Sequence, residues 1–171
     1  VAAIFLSLPC MTLAQFTYKL DQSIPVIGED GSPQKLPWSG GLNGPQFNTF
    51  DFNFDGIDDL VVFDRVGEKV LTFISTGNEY RYEPAFEILF PSEITRFLLL
   101  VDFNCDGKKD IFTAHSFGIR VLENVSDEDS VKFKAYTFGT GTSEVEYLVT
   151  KGFSGITNLQ LRFDDLPAIL D

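Results

Sequence analysis

The stretch DFNFDGIDD at residues 51–59 recurs as DFNCDGKKD at residues 102–110. The first copy places four acidic side chains and an Asn around one glycine. They must form a tight, polar turn, and the chain makes that turn twice. Carboxylates gathered in one turn repel one another and raise one another's pKa values, so the arrangement calls for a cation. Calcium takes six to eight oxygen ligands, and alternate residues of a turn can converge on one point. A glycine at the sixth position permits the sharp bend.

On this spacing the first loop offers Asp51, Asn53, Asp55, the carbonyl of Ile57, and Asp59. The second offers Asp102, Asn104, Asp106, the carbonyl of Lys108, and Asp110. The expected cofactor is therefore Ca2+, with one ion in each loop. Acidic hairpin turns would account for one such loop, but two in register favour a cage. An EF-hand needs a Glu at position 12 and flanking helices. Position 12 here is Val62 in one loop and Thr113 in the other.

Both loops run into short apolar stretches. From Gln46 onward the chain reads FNTFDF (47–52), LVVFD (60–64), KVLTFIS (69–75), AFEILF (85–90), FLLLVDF (97–103), IFTAHSF (111–117), IRVLENV (119–125), VKFKAYTF (131–138) and VEYLVT (145–150). These runs are rich in β-branched and aromatic residues and are bounded by Gly, Asn, Asp or Pro, which is a strand pattern. No stretch of twelve or more residues carries a capped helical period. The expected class is all-β.

The repeat extends beyond the loops. Gly67 aligns with Gly118, Lys69 with Arg120, Val70 with Val121 and Leu71 with Leu122. Phe52 and Phe103 alternate with the proposed ligands and are expected to point into the core. At the end of the chain LPAILD (166–171) is similar to RFLLLVD (96–102), which makes Asp171 the first residue of a third acidic loop. A unit of this size with about four strands suggests β-propeller blades.

The D-x-N-x-D-G-x-x-D loops, each followed by an apolar strand, resemble the FG-GAP/VCBS repeats of integrin-α-type β-propellers. The resemblance covers residues from about 45 to 171. It implies that each loop joins the first two strands of a blade, that calcium occupies it, and that the blades belong to a ring. The expected organisation is a truncated signal peptide (1–14), a lead-in (15–44), a first repeat (45–95), a second (96–164) and the start of a third (165–171).

The opening VAAIFLSLPCMTLAQ is an uncharged apolar run of the length of an export-signal core. It is shorter than the roughly 20 apolar residues of a membrane span. Cleavage is expected after Ala14. Cys105 would then be the only cysteine, which excludes an internal disulfide and a Cys–His zinc site. With 13 basic against 25 acidic residues and a formal charge of −12, nucleic acid is not an expected partner. His115, the only histidine, has no nucleophile near it in sequence, and GTGTSE (139–144) lacks the Lys of a phosphate loop. Cys105 reads as a small filler and Asn124-Val125-Ser126 as a chance sequon. Trp38, Tyr80 and Tyr82 read as packing residues or, alternatively, a sugar platform.

These features together predict a secreted or surface-exposed, non-enzymatic, calcium-binding repeat module. The resemblance implies adhesion or binding of a protein or carbohydrate ligand at the cell surface, within a larger protein. Alternatives are a non-catalytic region of a secreted polysaccharide-degrading enzyme, or a calcium-stiffened spacer.

Overall fold

A computed structural model describes residues 20–128, 130–139, 144–152, 155–162 and 167–169. The expected signal segment and Asp171 lie outside the described residues. The chain divides into two compact units between Lys35 and Leu36. In the first, a small turn is closed by an Ile27–Pro33 bridge, and the Gly28 amide donates to the Ser32 carbonyl at 2.8 Å.

The second unit is all-β. Strands β1 (Pro45–Phe50), β2 (Asp59–Asp64), β3 (Lys69–Ser75) and β4 (Tyr80–Tyr82) form one antiparallel sheet in the order β1-β2-β3-β4. Strands β5 (Leu98–Val101), β6 (Asp110–His115), β7 (Gly118–Asn124) and β8 (Phe133–Ala135) repeat that meander as β5-β6-β7-β8. A separate hairpin pairs β9 (Val149–Gly152) with β10 (Gly155–Asn158). Among the described residues no helix is long and apolar enough to cross a membrane.

AFEILF was expected as a strand. Instead, Pro84–Leu89 forms a short 3-10 helix. Pro84 brings a fixed φ suited to a first helical turn and no N–H to contribute to a sheet. The turn packs the Phe86 ring against Phe52, with centroids 4.9 Å apart.

The two four-stranded sheets stack face to face. Phe50, Phe52, Val61 and Phe63 of the first repeat share a core with Leu98, Ile111 and Leu122 of the second. The other face of the second sheet carries Phe97, Phe112, Ala114, Ile119 and Val121, covered by Tyr136, Phe138, Leu148, Leu161 and Ile169. Neighbouring Ile111 and Phe112 fall in different clusters because successive strand residues face opposite ways. Val61 aligns with Phe112 and Phe63 with Ala114, so equivalent faces of the two sheets look in the same direction.

Strand β5 is an edge strand, and side chains rather than a neighbouring backbone satisfy it. The Leu98 amide donates to Gln46 Oε1 and the Leu100 amide to Asn48 Oδ1, both at 3.0 Å. Asn48 Nδ2 donates to the Leu98 carbonyl at 3.0 Å. At the strand's entry Arg65 Nε donates to the Arg96 carbonyl at 3.0 Å.

Candidate metal centre

Each acidic loop joins the first two strands of its sheet at the same register. Phe50 pairs with Asp59, and Val101 pairs with Asp110. Between those pairs the two loops fold alike. In the first, Asp51 accepts hydrogen bonds from the amides of Asp55 (3.2 Å) and Gly56 (2.9 Å). Asn53 Oδ1 also accepts from the Asp55 amide at 3.0 Å, and Asp55 Oδ1 accepts from the Ile57 amide at 2.8 Å. In the second, Asp102 accepts from the amides of Asp106 (3.1 Å) and Gly107 (2.8 Å). Asn104 accepts from Asp106 at 3.0 Å, and Asp106 from Lys108 at 2.9 Å.

The backbone repeats as closely. Phe54 and Cys105, at position four, have φ of 60° and 61°, and both glycines at position six have φ of 85°. A Cβ at Gly56 or Gly107 would meet nothing within 4 Å. Glycine is used there for its backbone freedom and not for want of room. The outward turn at position four leaves Cys105 exposed, where a small filler was expected.

Position nine closes each loop from inside the sheet. Asp59 and Asp110 are both 0% exposed. Asp110 accepts the Asn124 amide at 2.7 Å and the Phe103 amide at 2.8 Å. Asp59 Oδ1 accepts the Ser75 amide at 2.8 Å. Its Oδ2 is buried and makes no hydrogen bond. The Phe52 amide still favours the Asp59 charge weakly, from a position that does not amount to a bond with that oxygen. Burial raises the pKa of both carboxyls; the backbone amides oppose this, and the neighbouring loop carboxylates, Asp55 and Asp51 or Asp106 and Asp102, raise it further.

Comparison with protein-family models, curated proteins and solved structures found no match.

Among the described residues no three His, Cys, Asp or Glu side chains cluster as a metal site. The carboxylates bond to nearby backbone amides in place of a shared centre. Two features nevertheless fit a hard cation. The donors of each loop are oxygens only, from carboxylates, an Asn amide and a backbone carbonyl, as calcium prefers. A buried carboxylate oxygen without a partner, as at Asp59, is costly unless something compensates it. In a filled loop, Asp51, Asn53, Asp55, the Ile57 carbonyl and Asp59 would hold the ion, and their counterparts would do so in the second loop. The ion would supply positive charge that offsets carboxylate repulsion.

Other residues around the loops were not foreseen. Asn104 Nδ2 donates to Glu123 Oε1 on β7 at 3.2 Å, a link with no counterpart at Ile74, which holds the same register in the first sheet. Lys108 turns its ammonium to the Ser126 carbonyl at 2.7 Å. A cleft of about 420 Å3 lies between the loops, bordered by Phe50, Asp51, Phe54, Asp58, Lys108 and Lys109. His115 stacks on Tyr147 with centroids 5.5 Å apart, and its Nδ1 accepts the Phe117 amide at 3.2 Å. Tyr82 is buried against Phe73, whereas Trp38 and Tyr80 are exposed.

Proposed function

We propose that this chain is a calcium-stabilised repeat module of the β-propeller type, acting outside the cell by binding and not by catalysis. The observation that carries the reading is the duplicated loop. Two copies share one hydrogen-bond pattern, one pair of left-handed backbone positions and one buried closing Asp. The partnerless Asp59 oxygen supports it further. Equivalent sheet faces directed the same way suit blades stacked in series. Each ion would tie the turn to its own sheet through position nine, so calcium acts on stability first and on any ligand surface through it. A protein or carbohydrate at a cell surface is the proposed ligand class.

The test is calorimetric titration with paired melting curves. Wild type should take up two calcium ions, and Asp55→Ala or Asp106→Ala one each. At a hundredfold excess over Kd, one site should add about 2.7 kcal/mol of stability. Wild type that takes up no calcium, or melts alike with and without chelator, would overturn the reading.

A further inference from the structure

We propose that the two acidic loops take up calcium cooperatively, with Lys109 as the link between them; this rests on the calcium reading above. Lys109 occupies position eight of the second loop, yet its ammonium is spent entirely on the first repeat. It donates to Asp58 Oδ2 at 2.8 Å, the Thr49 carbonyl at 2.9 Å and Thr49 Oγ1 at 3.0 Å. An ammonium has three donors, and all three are used.

Position decides the consequence. Asp58 lies between the Ile57 carbonyl and Asp59, two donors of the first loop. Lys109 lies between the Lys108 carbonyl and Asp110, two donors of the second. Its own carbonyl is held by Asn124 Nδ2 at 3.0 Å, and the Asn124 amide holds Asp110. Ordering either loop therefore fixes one end of the bridge and reduces the entropy that ordering the other must overcome. At the first loop the acidic cluster does not stand alone, because Asp59 carries a buried oxygen without a hydrogen-bond partner; the second loop is brought in by its matching hydrogen bonds and backbone.

The strength is bounded by exposure. Lys109 and Asp58 keep 35% and 52% of their side-chain surface open. Such partly exposed pairs contribute at most about 1 kcal/mol, or roughly fivefold in affinity. Direct repulsion between the two ions works the other way, but it is common to proteins with and without the bridge and cancels in their comparison.

The experiment titrates the full chain with calcium in about 0.15 M salt, where surface fields are screened beyond about 8 Å. Second-loop affinity is compared between wild type and Asp55→Ala, and first-loop affinity between wild type and Asp106→Ala. Each comparison is repeated with Lys109→Met. Emptying either loop should weaken the other by up to about fivefold more with Lys109 than with Met, and equally in both directions, as linkage requires. Asp58→Asn breaks the same bridge from the other side and should reproduce the loss. Two bound ions whose affinities ignore both substitutions would overturn the link and leave the calcium reading standing. Wild type without calcium uptake would instead sink that reading, and the link with it.

Discussion

Replacing Gly56 or Gly107 by alanine isolates the backbone demand of the acidic loops. Both residues have φ of 85°, and a Cβ at either meets nothing within 4 Å. Steric collision is therefore absent, and only conformation is at stake. Placing an L-residue in the left-handed region costs roughly 1–2 kcal/mol. Alanine also stiffens the unfolded chain, which returns about 0.4–1 kcal/mol. The net loss should be about 1 kcal/mol at each position, and the same at both because the geometry is the same. For a chain of this size that is a fall of about 2–4 °C in Tm. Gly118 provides the contrast. It has φ of 150°, and an added Cβ would lie 2.3 Å from the Leu159 carbonyl oxygen. Gly118→Ala must push backbone aside and should cost clearly more than either loop variant. Urea unfolding in chelator measures all three. A neutral Gly56→Ala, or loop variants that differ from each other as much as either does from Gly118→Ala, would refute the reasoning.

Phe52 is 1% exposed and packs against Phe86, so Phe52→Ala should lose about 3–5 kcal/mol, read by the same unfolding curves. Asn48→Ala leaves the Leu100 amide without its side-chain acceptor and should cost about 1–3 kcal/mol, with faster hydrogen exchange confined to β5. Burial, aided by Arg120, holds His115 below the ordinary imidazole value of 6.5. As pH falls below that value the unfolded chain takes up a proton first, so stability present at neutral pH is lost through the folded pKa. His115→Phe should flatten that part of the Tm profile. Asp59 and Asp110 titrate above the ordinary 3.8 in the calcium-free fold. Without calcium, their contribution to stability falls as pH rises from 3.8 through the raised folded value. The rise in Tm on adding calcium should therefore grow across that window, and a rise that shrinks there would contradict the assignment.

The loop register and most of the strands were legible because both depend on local chemistry: a bend at glycine, alternate polar donors, and β-branched runs. AFEILF misled because its composition suits a strand, while the preceding Pro84 sets the backbone for a turn. Aligning Gly67 with Gly118 gave the right repeat but the wrong equivalence. Gly67 sits in the β2–β3 turn, whereas Gly118 opens β7 against Leu159. The Lys109–Asp58 bridge and the Gln46 and Asn48 contacts with β5 were invisible. A polar side chain in a sequence shows that it wants a partner, but pairings across fifty or more positions are created by the stacking of the sheets.

The amides that bind β5 also give the two repeats an order. At the positions aligned with Gln46 and Asn48 the second repeat has Phe97 and Leu99. Neither side chain can donate to or accept from a neighbouring strand's backbone. Exchanging the repeats would present hydrocarbon to an edge that needs hydrogen bonds. Although the loops are duplicates, the joint between their sheets works in one sequence order alone. A tandem array built by copying either unit would have to evolve a new joint before the copy could be seated.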